Sequence, residues 1–181
     1  MNRFMYALLC CLLGLMNGYA YAYTGFDICN YGNEKVAVVI CYGPAVLKDT
    51  TVEGDLKVAG PLKASNISAG AMHVAGSANM LGSKVTGPAE VSGPLYAEKV
   101  TFEKDLNVSA NTVTLHATMV KGSMVISSQA TKPYLKMECG SVISGTVTFD
   151  GMEGIVQVTD DSMVQGKIIN GTMEFIRKKC S

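Results

Sequence analysis

The sequence predicts an all-β fold, a single-stranded β-helix solenoid of about seven short turns. A Gly-x-apolar-x-apolar phrase recurs, opened by Gly54, Gly70, Gly87, Lys104 (its glycine lost), Gly122, Gly145 and Gly166, at steps of 16, 17, 17, 18, 23 and 21 residues. A fixed period of this size marks one supersecondary unit stacked on itself. Within each copy apolar and polar residues alternate, as half-buried strands require: Leu56 and Val58 face one way, Asp55 and Lys57 the other. Turn formers fill the corners between runs, as in Gly60-Pro61, Gly76-Ser77, Gly93-Pro94 and Asn170-Gly171.

Taken from the N-terminus, residues 1–22 read as an export signal. Arg3 supplies the positive start, Met5 to Met16 the apolar stretch, and Ala20-Tyr21-Ala22 the small-x-small cleavage pattern. That stretch is 12 residues long, short of the roughly 20 that span a bilayer. The mature chain is then expected to be periplasmic or secreted, with no membrane span.

Residues 23–50 read as an N-terminal cap. They hold Cys29 and Cys41, a turn signal at Tyr31-Gly32-Asn33, and the strand-like run Lys35 to Tyr42. A solenoid needs its ends covered, because an open end exposes apolar core and unpaired strand edges.

Residues 51–171 carry the repeats. Each turn is expected to lay two or three strands on a triangular section, and no turn buries its own apolar face without its neighbours. A six-residue step (Val52, Val58, Ala64; then Val85, Val91, Ala97) hints at a left-handed coil built on hexapeptides. Its phase is lost between those turns, which favours the right-handed form. Residues 172–181 read as a C-terminal tail or cap with Phe175 and Ile176 buried and Arg177, Lys178 and Lys179 outside.

Four cysteines follow the signal: Cys29, Cys41, Cys139 and Cys180. An even number in an exported chain reads as two disulfides with three possible connectivities. Cys29–Cys41 is favoured because the two flank one local unit. Cys139–Cys180 is the remainder and carries a geometric problem. The two lie about two turns apart, nearly 10 Å at strand spacing, so that bridge requires the C-terminal tail to fold back.

The phrases Gly54-Asp55-Leu56-Lys57-Val58-Ala59-Gly60 and Gly70-Ala71-Met72-His73-Val74-Ala75-Gly76 resemble the rungs of bactofilins, polymer-forming right-handed β-helix proteins of bacteria. Within residues 52–171 the resemblance covers 52–128 well and 143–171 loosely. It implies a compact rod that polymerises end to end without nucleotide. Two departures stand against it: bactofilins are cytosolic and associated with the membrane and cell wall, and their pattern lacks the cysteine-bearing N-terminal segment found here.

Chemistry is sparse. With Arg3 removed, 14 basic residues meet 15 acidic ones, so the mature charge is −1 and no basic footprint for nucleic acid exists. His73 and His116 fall at outward positions in different turns, and no Cys or His pair has zinc spacing. No Gly-x-Ser-x-Gly elbow occurs, and no cofactor motif or phosphate loop. Polysaccharide lyases and hydrolases also use β-helices, so a small carbohydrate-active enzyme is the alternative. Its candidate acids are Asp150, Asp160 and Asp161, on the longest turns, with Arg177 the one arginine of the mature chain. The methionines read as adaptable core filler, with a remainder on the later turns left as an apolar face. The sequence therefore predicts a non-catalytic structural or surface-binding module, whose partner is itself, end to end, or an extracellular or cell-envelope protein or glycan.

Overall fold

The structure is a computed structural model; it describes residues 21–24 (their backbone), 28–128, 132–177 and 180. Short strands repeat in threes. The first turns run β1 (Tyr21–Thr24), β2 (Cys29–Gly32), β3 (Lys35–Val36), then β4 (Val38–Cys41), β5 (Ala45–Lys48), β6 (Thr51–Val52). Next come β7 (Leu56–Val58), β8 (Leu62–Ser65), β9 (Ser68–Ala69), and β10 (Met72–Val74), β11 (Ala78–Leu81), β12 (Lys84–Val85). The middle turns are β13 (Ala89–Val91), β14 (Leu95–Glu98), β15 (Thr101–Phe102), and β16 (Leu106–Ser109), β17 (Thr112–His116), β18 (Met119–Val120). They lead to β19 (Met124–Ser128), β20 (Tyr134–Glu138), β21 (Val142–Ile143), and β22 (Val147–Gly151), β23 (Gly154–Thr159), β24 (Met163–Val164). A partial turn of β25 (Ile168–Ile169) and β26 (Gly171–Ile176) ends the stack.

Every third strand joins the same sheet. Two faces hold 9 strands each and the third holds 8. Neighbouring strands pair in parallel, for example Leu56 with Met72 and Met72 with Ala89. The fold is a parallel β-solenoid of about nine turns, roughly 38 Å along the stack. The seven phrases are seven of those layers. Their third positions, from Leu56 through Met72, Ala89, Leu106, Met124 and Val147 to Ile168, stack in one inward column. Inward residues such as Leu56, Met72, Leu106, Met124 and Val147 are 0 % exposed, which one layer alone could not achieve.

The N-terminal segment 23–50, with its Cys29–Cys41 disulfide, is continuous with the repeats and not set apart from them: β4 pairs with β7, β5 with β8 and β6 with β9, so these strands belong to the same three sheets. They supply the turns that the phrase count omits. The run Lys35 to Tyr42, which reads as one strong strand, is cut at Ala37 into β3 on the third face and β4 on the first. Nor is the C-terminal segment a buried cap. β26 pairs with β23 over six residues and is the ninth strand of its sheet, with Phe175 73 % exposed.

Close stacking accounts for the phrase's glycine. A Cβ on Gly70 would lie 2.5 Å from the carbonyl oxygen of Gly54 one layer below, and one on Gly145 would lie 2.6 Å from that of Gly122. In each case the nearest atom is a backbone carbonyl oxygen of the layer below, which cannot swing aside as the tip of a side chain could.

The corner between the second and third faces follows a rule of its own. The residue just after each second-face strand adopts the left-handed conformation in seven successive turns: Asn33, Asp49, Asn66, Gly82, Lys99, Ala117 and Cys139, with φ from 47° to 57°. Asn, Asp and Gly tolerate that region, whereas a side chain such as that of alanine costs about 1–2 kcal/mol there. Ala117→Gly is therefore expected to raise stability by about 1 kcal/mol, read as an upward shift in the urea midpoint at unchanged slope.

A buried ladder of hydroxyls lines the next step of that corner. The N–H of Ile67 donates to Ser83 Oγ (3.2 Å), that of Val100 to Thr118 Oγ1 (3.2 Å), that of Thr118 to Ser141 Oγ (3.1 Å), and that of Ser141 to Ser162 Oγ (3.1 Å). Each receiving hydroxyl lies in the following turn. The sharp corner takes these amides out of the regular ladder, and the hydroxyls satisfy them where water cannot reach.

Candidate functional site

The cysteines form both expected pairs. Cys29 and Cys41 are each 1 % exposed and bridge adjacent turns inside the core, with Cα atoms 6.1 Å apart. Cys139 and Cys180 stand 5.4 Å apart at their Cα atoms. Cys180, past β26, therefore stands beside the corner after β20 two layers back, the fold-back that the spacing demanded. Two disulfides mark a chain that folds in an oxidising compartment. Most of the expected export signal lies outside the described residues; its last two, Tyr21 and Ala22, are in β1, which pairs with β4.

The candidate acids are not brought to one place. Asp150 lies at the end of β22 on the first face, where Ser127 Oγ donates to it across 3.4 Å. Asp160 and Asp161 form the corner after β23. Asp161 is occupied there: the Thr159 hydroxyl donates to it at 2.6 Å, and that bond, with the Gly140 N–H, holds its carboxyl below the usual carboxylate range. Arg177 is exposed just past β26. Among the described residues no three His, Cys, Asp or Glu side chains are placed to hold a metal ion.

Both histidines fall at outward positions, His73 exposed and His116 half-buried. His73 Nδ1 is 3.1 Å from the Glu90 carboxylate one layer on, and the neighbours in that column are Lys57 and Asn107. An open depression of about 670 Å³ lies beside it, with Tyr42, Lys57, His73 and Glu90 around Ala59 and Ala75. His116 ends β17, in register between Glu98 and Glu138. Glu138 is buried and pairs with Lys136 at 2.7 Å, and that hydrogen bond holds the Lys136 ammonium above its ordinary range. On the third face Glu103 bridges Lys121 (2.7 Å) and Lys84 (3.1 Å), which hold its carboxyl below the usual range. These mixed, paired charges give no single-sign stripe to steer an ionic ligand.

The C-terminal end differs from the rest. β26 has β23 on one side and, among the described residues, no strand on the other. Met173 and Phe175 continue the columns of Val156 and Val158, which are 0 % and 1 % exposed, yet they are 39 % and 73 % exposed themselves. Ile169 (49 %) and Met163 (51 %) add to the same end. The methionines divide by place: Met72, Met80, Met124 and Met137 fill the core, while Met119, Met152, Met163 and Met173 are exposed on later turns. The tail's apolar composition points to burial, whereas the strand register places no described strand over it.

Fold and surface define this chain as a disulfide-stapled parallel β-solenoid whose last strand, β26, keeps one edge unpaired among the described residues. No family model, curated protein or solved structure matches it.

Proposed function

We propose that this chain is an exported, non-catalytic structural module, a rod that joins copies of itself end to end at the cell envelope or beyond the cell. The observation that carries the reading is Phe175, 73 % exposed at a position whose equivalent in the layer below, Val158, is 1 % exposed. A side chain set for the core, on a strand whose second edge pairs with no described strand, is what strand addition uses: main-chain hydrogen bonds give affinity and alternate side chains give specificity. On the outer faces the exposed apolar side chains, such as Val46, Leu81, Tyr96 and Met119, lie on outward positions and not in continuation of a core column. Light scattering on the mature protein across a concentration series, with and without reductant, tests the reading. Mass that grows with concentration supports end-to-end assembly. A strict monomer at every concentration overturns self-association and leaves a rod that docks on another envelope or extracellular partner.

A further inference from the structure

We propose that Cys139–Cys180 is a thiol-exchange site that latches the last coil of the rod, while Cys29–Cys41 is a permanent staple. The two bridges differ in access. Both cysteines of the N-terminal bridge are 1 % exposed inside the solenoid. Cys180 is exposed, and Cys139 is half-buried at a corner. Exchange needs a thiolate to reach a disulfide sulfur, so access separates labile bridges from inert ones.

The two also hold different things. Cys29 and Cys41 lie in β2 and β4, strands already paired with β5 and β7. Cys180 instead anchors the end of the chain, 41 residues beyond Cys139, onto the corner two layers back. What it restrains is β26, which has one neighbouring strand among the described residues and a largely exposed set of side chains. Segments with little buried apolar surface open most readily, so this coil is where a tether matters most.

The chemistry balances with a low-molecular-weight thiol as co-reactant. Its thiolate attacks Sγ of Cys180, an exposed residue, a mixed disulfide forms there, and Cys139 leaves as a thiolate. A second thiolate resolves the mixed disulfide, releasing Cys180 as a thiol and the reagent as its own disulfide. The freed coil frays from β23 and uncovers Val156 and Val158. This inference does not rest on self-association.

The test uses the folded full-length mature protein in graded reduced and oxidised glutathione. Alkylation and peptide mass spectrometry identify the free cysteines, and hydrogen exchange follows residues 171–176. Cys139 and Cys180 are expected to label while Cys29 and Cys41 remain joined, with exchange in β26 at least about tenfold faster and that in β8 unchanged. The variant Cys139→Ser with Cys180→Ser is expected to show the same fast exchange without reductant. Loss of both bridges together in one global transition overturns the proposal, as does labelling of Cys139 and Cys180 with exchange in β26 unaltered.

Discussion

Ser141→Ala is expected to destabilise the protein by about 2–3 kcal/mol, a fall in melting temperature of roughly 5–10 °C. The change removes one oxygen from a site that is 0 % exposed. That oxygen accepts the N–H of Thr118 at 3.1 Å and can donate to the carbonyls of Glu138 (2.7 Å) and Leu115 (3.0 Å). The Glu138 carbonyl keeps a second partner, the N–H of Ala117 at 2.9 Å. The Thr118 amide is then left buried with its acceptor gone, and an orphaned buried donor costs its full desolvation. Thr118 is itself the acceptor for Val100, so the loss falls in the middle of a chain of such bonds. Thermal unfolding followed by circular dichroism measures the effect. Ser144→Ala, three residues on and exposed, is the control and is expected to change stability by less than about 0.5 kcal/mol. Equal melting of Ser141→Ala and the unaltered protein would remove the hydroxyl from its assigned role.

That ladder marks where sequence reading stops. Period-2 alternation assigns Leu56, Met72 and Leu106 correctly, because an inward strand position has one solution and the glycine phrase fixes its phase. It assigns serine and threonine to the outside by polarity, and Ser141 and Thr118 are inside. Their burial depends on which amides the corner strands leave unpaired, a relation between residues 16 to 23 apart that no local window contains.

The left-handed corner is half legible on the same grounds. Asn33, Asp49, Asn66 and Gly82 have the local chemistry for it; Lys99, Ala117 and Cys139 are held there by the layers on either side. The N-terminal turns escape notice because their outward positions are apolar. Val38 and Ile40 flank Val39 on β4 and blur the alternation, and Ala37 stands where later copies carry glycine. The candidate site has a similar history. The composition of the tail was legible and its placement was not, since burial of an end strand depends on whether another layer follows.

Phe175→Glu is expected to weaken end-to-end association by at least about 100-fold while leaving the rod folded. Phe175 is 73 % exposed, so little of its side chain supports the fold, and substitution at such a position costs little stability. In an assembled pair the ring would occupy the core column that Val158 occupies one layer below. Burial of a phenylalanine contributes about 2 kcal/mol or more, and a carboxylate in its place adds the cost of desolvating an unpaired charge. Together these exceed the roughly 2.7 kcal/mol that corresponds to a 100-fold change in equilibrium constant. Light scattering reads the result as monomer mass at concentrations where the unaltered protein has grown, with an unchanged circular dichroism spectrum and melting temperature. Phe175→Leu, apolar and able to fill the same column, is expected to keep most of the association. Undiminished growth of Phe175→Glu with concentration would move the contact away from β26 and onto the faces of the rod.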